Sequence, residues 1–164
     1  MWLTGLPSSG KSTLAAAVHA ELVRLGVPGV ILDGDAVRAA LVPSPGYSSQ
    51  ERDDFYATLA RLAALLAAQG LTVLVPATAH RAVYRADARA WAPCFFEVHV
   101  RTPMEECQRR DTLGLYASAA PDLPGVDLAY EAPEAPEVVA EGGQDAVAIA
   151  RIVALLQQAK EGDR

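Results

Sequence analysis

One stretch near the start, Gly5-Leu6-Pro7-Ser8-Ser9-Gly10-Lys11-Ser12-Thr13, constrains this chain more than any other. It fits the phosphate-binding pattern of glycine, four residues, then glycine, lysine and serine or threonine. That pattern needs a strand running into the loop and a helix leaving it. Met1 to Thr4 read as a short strand, and Lys11 to about Leu25 as a long alanine-rich helix. Glycines let such a loop curl so that its N–H groups converge on phosphate oxygens. The helix N-terminus adds partial positive charge at the same place. In this pattern Lys11 reaches the β- and γ-phosphates, and the Ser12 hydroxyl holds magnesium.

Composition narrows the partners. The length of 164 residues sets one domain as the prior and is enough for a core without disulfides or metal. Half the residues are apolar, which argues against disorder. The apolar stretches are broken by Arg, Gln or Gly, so no membrane span is expected. No basic-then-apolar leader precedes the motif. Cys94 and Cys107 lack metal spacing and read as reduced core thiols, which makes the expected location cytoplasmic. A net charge of −6 argues against nucleic acid as a partner. The chain has no Asn and only two lysines, one of them in the phosphate loop. Without Asn, the asparagine–lysine–x–aspartate guanine signature cannot be present, so a GTPase is disfavoured.

Strands and helices alternate along the rest. Val30-Ile31-Leu32-Asp33 reads as a buried strand ending in an acid, followed by a short helix around Ala36 to Leu41. Ser48 or Ser49 caps the next helix, which runs to about Gln69. Leu71 to Val75 is a third strand. The helix after it, to about Trp91, carries Arg81, Arg85 and Arg89 at spacing four, which reads as one solvated stripe. Cys94 to Val100 is a fourth strand, Met104 to Arg110 a helix, Val138 to Ala140 a fifth strand, and Gln144 to about Lys160 the closing helix. Between them, a Gly- and Pro-rich segment, about 109–136, reads as a lid. The pattern predicts an α/β fold: a five-stranded, mostly parallel sheet with helices on both faces, of the phosphate-loop nucleoside-triphosphate-hydrolase type.

Ligands of open parallel sheets bind outside the carboxyl ends of the strands. The phosphate loop and Asp33-Gly34-Asp35 are therefore expected to face one crevice. An acid there can serve magnesium through water, or take a proton from an attacking hydroxyl. Arg38, one turn after Asp35, can clamp an anion with two parallel hydrogen bonds. His80 follows a strand and is expected at the same crevice. His19 reads as a surface or packed residue, His99 as a core residue, and Trp2 and Trp91 as packing.

Several of these segments together resemble the adenylylsulfate (APS) kinase family. They are Leu3-Thr4-Gly5-Leu6, Leu32 to Arg38, Gly46-Tyr47-Ser48 with Glu51-Arg52, Tyr84 to Asp87, Phe96 to Cys107, Arg110-Asp111 with Gly114-Leu115-Tyr116, and Tyr130 to Glu134. The resemblance covers nearly the whole chain and implies ATP- and Mg²⁺-dependent phosphorylation of the ribose 3′-hydroxyl of APS to give PAPS, a step of sulfate assimilation. It implies APS contacts at Arg38, Tyr47 and Arg52, and an ATP-covering role for Arg109 and Arg110. Lys11, Asp33 and Asp35 are the expected catalytic residues. Ser12 and Asp33 are expected to serve the metal, with Asp35 orienting or deprotonating the acceptor; the reverse assignment of the two acids stays open. The expected partner is a small nucleotide, and a homodimer is left open.

Several of the departures fall on the acceptor side. Phe55 stands where the family has Asn, Leu123 where it has a stacking Phe, and Tyr47 where it has Phe. Leu113 and residues 117–120 replace the lid lysines. Pro76 to His80 replace an isoleucine–serine–proline segment. A kinase of this fold with another small hydroxyl acceptor is the second reading, and a non-catalytic nucleotide-binding module the third.

Overall fold

The computed structural model describes residues 1–111, 114–118 and 122–162, with residues 161 and 162 described by backbone alone. Five strands form one parallel sheet in the order β2-β3-β1-β4-β5. They are β1 (Trp2–Thr4), β2 (Gly29–Ile31), β3 (Thr72–Pro76), β4 (Glu97–Val100) and β5 (Val138–Ala140). The helices are α1 (Lys11–Arg24), α2 (Gly34–Ala40), α3 (Ser49–Ala67), α4 (Ala82–Trp91), α5 (Met104–Arg110) and α6 (Ala146–Gly162). The α/β architecture expected from the sequence is the one observed. No helix among the described residues is long and apolar enough to cross a membrane.

Side-chain alternation along the strands divides the core in two. Leu3, Leu74, Val98, Val100 and Val138 face one side, where Leu14, Val18 and Leu22 of α1 and Ile152 and Leu156 of α6 cover them. Trp2, Val73 and Val75 face the other, under Phe55, Tyr56 and Leu59 of α3 and Tyr84 and Ala88 of α4. Trp2 is therefore packing, as expected, whereas Trp91 is 57% exposed with the Arg61 guanidinium over its ring. Of the two cysteines only Cys107 is buried; Cys94 is exposed because the chain joins the sheet only at Glu97. β4 starts that late because its partner β1 offers only three residues, and Trp2 pairs with Glu97.

Two local differences from the sequence reading have clear causes. Asp33 does not extend β2. Its carboxylate accepts the N–H groups of Asp35 and Ala36 and caps α2, which starts at Gly34. Arg81, the N-cap of α4, and Arg85 and Arg89 within it are not one solvated stripe. Arg85 is only 3% exposed; it pairs with Glu97 at 2.5 Å and donates to the carbonyls of Ala79 and Glu131. Arg81 and Arg89 pair with Asp53 and Glu137 nearer the surface. At the start of α3, Ser48 and Glu51 form a reciprocal capping box, which settles the cap between Ser48 and Ser49.

In the segment read as a lid, the Asp111 carboxylate gathers the N–H groups of Leu115, Tyr116 and Ala117 into a compact turn. Leu113, Ala119, Ala120 and Pro121 lie outside the described residues.

Candidate active site

All five strands are parallel, so their carboxyl ends lie along one edge of the sheet. A cavity of about 1100 Å³ opens there. The phosphate loop, leaving central β1, forms its middle: Pro7, Ser8, Gly10, Lys11, Ser12 and Thr13 line it. Gly5, Leu6 and Ser9 do not line it; they hold the loop from behind. A Cβ on Gly5 would meet the Val100 carbonyl at 2.5 Å, so only glycine lets β1 turn this close to β4. Ser9 is fully buried, and its carbonyl accepts the Thr102 hydroxyl at 2.7 Å.

Lys11 Nζ donates to the carbonyls of Gly5 and Leu6 at 3.1 and 2.8 Å. Burial pushes its ammonium down to about 8, against weaker opposite effects of Asp35, Cys107 and Asp33. Ser12 Oγ donates to Asp33 Oδ2 at 2.6 Å. The two oxygens of Asp33 are thus both engaged, one by the serine and one by the α2 cap. Asp35, in the first turn of α2, lines the cavity, and no hydrogen bond among the described residues takes its carboxylate. A hydroxyl and a carboxylate held this close suit a hard, oxygen-seeking cation such as Mg²⁺ bound partly through water. Among the described residues no cluster of three or more His, Cys, Asp or Glu could hold a metal ion.

The strand order fixes two flanks. On the β2 side, α2 and the entry to α3 bring Arg38, Tyr47, Arg52 and Phe55 to the wall. Arg38 lies over the rings of Phe55 and Tyr47, with Cζ 3.9 and 4.5 Å from the centroids, and the Arg52 guanidinium sits 5.2 Å from the Tyr47 ring. Arg38 Nη1 donates to the carbonyls of Pro45 and Gly46. Arg52 donates to those of Tyr47 and Asp122. Both arginines are only 7% exposed, and among the described residues neither forms an ion pair. Leu123 is buried on the same wall.

On the β5 side, Arg110 and the loop Glu141-Gly142-Gly143-Gln144-Asp145 line the cavity. Gly143 packs directly on Gly10. Arg110 pairs with Glu106 at 2.7 Å. Arg109 pairs with the same glutamate but is 77% exposed and does not line the cavity. Tyr116 reaches the phosphate loop from the α5–β5 connection, its hydroxyl donating to the Pro7 carbonyl at 3.0 Å.

His80, expected at the crevice, is not on its wall. It is buried edge-on against Tyr84, and the residues before it, Pro76 to Thr78, line the cavity instead. Sequence reading missed the loop after β5. Its adjacent glycines, following a strand, were the one local signal for it.

A phosphate loop on a parallel sheet, with a capped Asp-Gly-Asp turn beside it and cationic side chains across the same cavity, defines a phosphate-loop kinase. Comparison with known proteins narrows the class: the family model "Adenylylsulphate kinase" matches residues 1–141, and the chain belongs to that family. It is 37% identical over 151 residues to the adenylyl-sulfate kinase of Synechococcus sp. strain JA-2-3B'a(2-13), covering 90% of this chain and 86% of that protein. It is 42% identical over 142 residues to the adenylyl-sulfate kinase of Deinococcus deserti, covering 84% and 78%. In structure it resembles the Mycobacterium tuberculosis APS kinase solved with AMPPNP and APS, with a TM-score of 0.87, 35% identity and 95% coverage of both chains.

Proposed function

We propose that this chain transfers the γ-phosphoryl group of ATP to the ribose 3′-hydroxyl of adenylylsulfate, giving PAPS. The observation that carries this reading is the pair Arg38 and Arg52. Two nearly buried guanidiniums without a carboxylate partner among the described residues leave the wall short of negative charge. Buried charges are ordinarily paired, so the missing partner is an anionic ligand. A phosphosulfate fits that need, and guanidinium forks match its oxygens. This pair lies on the β2 flank and Arg110 on the β5 flank, which supports separate places for acceptor and ATP on either side of the phosphate loop.

Catalysis in such a site rests on positioning and charge neutralisation. Lys11 and the loop amides hold the β- and γ-phosphates. Ser12 and, through water, Asp33 would hold Mg²⁺, which when bound supplies charge neutralisation on the phosphate oxygens. Asp35 has its carboxylate free of hydrogen bonds among the described residues and is our assignment for orienting or deprotonating the acceptor hydroxyl. Arg110 and the Glu141–Asp145 loop flank the triphosphate and its base. Arg109, expected to cover ATP, is instead a surface partner of Glu106 and does not line the cavity.

Coupled ADP release with adenylylsulfate, beside a panel of other nucleoside conjugates, tests the reading. Adenylylsulfate is expected to stimulate ADP formation, and Arg38→Ala to raise its KM by about tenfold or more while changing that of ATP little. Stimulation by another conjugate alone would replace the acceptor. No stimulation by any, with ATP still bound, would leave a binding module.

A further inference from the structure

Phe55 is an unusual neighbour for a ligand-binding arginine. It is 3% exposed, sits on the first turns of α3 three residues after Arg52, and presents its ring to the Arg38 guanidinium at 3.9 Å. Contacts then run in one series: Phe55 to Arg38, Arg38 to Tyr47, Tyr47 to Arg52. Two like charges are thereby seated against aromatic faces rather than against carboxylates. A ring face attracts a guanidinium through its quadrupole, and the attraction is larger where water is excluded.

We propose that Phe55 is a positioning residue for acceptor recognition, holding the Arg38 guanidinium in the orientation that presents its free nitrogens to the acceptor's anionic group. The inference rests on the adenylylsulfate reading for the identity of that group, but its geometry does not. Arg38 has four flexible torsions. Three contacts remove that freedom: the ring of Phe55, the ring of Tyr47, and the carbonyls of Pro45 and Gly46, which take Nη1. Among the described residues Nε and Nη2 have no partner, and they are the donors left for a ligand. Tyr47 is 55% exposed, whereas Phe55 is buried and packed edge-on against Tyr56 with centroids 5.4 Å apart, so Phe55 is the ring held firmly enough to fix the guanidinium plane. The anionic group is thus bound by a cation whose conformational entropy has been removed beforehand. Phe55 itself offers no hydrogen bond, so selection at this wall falls on the anion.

Phe55→Leu removes the ring face at similar volume, and Phe55→Tyr keeps it. Steady-state kinetics would be paired with arginine Nε–Hε NMR spectra, the Arg38 signal assigned by its absence in Arg38→Lys. We expect Phe55→Leu to raise the KM for adenylylsulfate by about tenfold, leave that for ATP within about twofold, and broaden or erase the Arg38 signal. Phe55→Tyr should retain both. Phe55→Met, also free of a ring face, carries the same expectation should Phe55→Leu melt below assay temperature. A folded Phe55→Leu with an unchanged adenylylsulfate KM overturns the proposal. If the wild-type chain does not phosphorylate adenylylsulfate, the functional reading falls separately. The Arg38 signal then decides: its loss in Phe55→Leu supports the positioning role, and its persistence refutes it.

Discussion

The Ser12 hydroxyl donates to Asp33 Oδ2 across 2.6 Å, joining the first turn of α1 to the cap of α2. One carboxylate thus does two jobs, since its other oxygen accepts the N–H groups of Asp35 and Ala36. The jobs separate on substitution. Asparagine caps helices about as well as aspartate, so Asp33→Asn should leave the melting temperature nearly unchanged. It removes the charge we propose to serve the cation, so turnover should fall on the order of a hundredfold and half-saturation should need more magnesium. Magnesium titrations of activity, beside a thermal melt, check this. An unchanged magnesium requirement would remove Asp33 from the metal site.

Lys11 makes nucleotide binding pH-dependent. In the free protein burial holds its pKa at about 8 rather than 10.5. Phosphate oxygens favour the charged form and raise it again. At pH 7 the ammonium is already mostly protonated, so ATP binding takes up little. At pH 9 it is mostly neutral, and binding should take up close to one proton. Affinity therefore falls as pH rises through about 8. Calorimetry in two buffers of different ionisation enthalpy, at both pH values, reads the proton directly. The same shift has the opposite sign for folding. Below about 8 both states are protonated and the cost of burying the charge is fully present. Between about 8 and 10.5 the folded form sheds a proton that the unfolded form keeps, so this group's contribution to stability rises with pH. Lys11→Ala should abolish the proton uptake and cost on the order of 10³-fold in rate.

What the sequence discloses is what local spacing carries. The phosphate loop, the Asp33-Gly34-Asp35 turn and Arg38 lie within 34 residues, and each needs only its own strand and helix to be placed. Strand order and burial partners are another matter. Arg81, Arg85 and Arg89 are equivalent by spacing; Arg85 is the buried one because Glu97 from β4 and the Glu131 carbonyl meet it there. No local pattern contains that information. The Glu141–Asp145 loop reaches the cavity only because β5 adds at the far edge, next to β4. His80 follows β3 as expected of a crevice residue, yet the chain turns at Ala79, which has a positive φ of 42°, and carries the ring behind the wall.

That buried pair sets a stability prediction. Arg85 and Glu97 have side chains 4% and 13% exposed, and Arg85 also ties the carbonyls of Ala79 and Glu131 together. Removing Arg85 leaves Glu97, in a poorly solvated place, with only the longer contact to Arg89 at 3.9 Å. Arg85→Ala should therefore cost about 3–5 kcal/mol in denaturant unfolding. Arg85→Met with Glu97→Gln removes both charges and should recover a good part of the loss. If the single variant cost no more than an exposed pair, below about 1 kcal/mol, the strut between β4, α4 and the Glu131 segment would be unimportant to folding.

Two glycines make a sharper contrast. Gly143, in the loop after β5, has no left-handed φ, but a Cβ there would lie 2.7 Å from the Gly10 carbonyl and 2.8 Å from Thr13 Cβ. Gly143→Ala must therefore push this loop away from the phosphate loop at the point where the β5 flank meets it. Gly26, after α1, has φ +69° and nothing within 4 Å of where a methyl group would stand, so Gly26→Ala suffers backbone strain without a clash. Strain of that kind costs about 1 kcal/mol and should lower the melting temperature by several degrees while leaving the KM for ATP unchanged. Gly143→Ala should instead raise the KM for ATP by about tenfold or more, because a displacement near 1 Å at a positioning loop is felt strongly in binding and turnover. The KM for the acceptor, which we propose binds on the β2 flank, should move much less. Equal effects of Gly143→Ala on both substrates would mean that the two flanks are not separate sites, and the division of the cavity between ATP and acceptor would have to be redrawn.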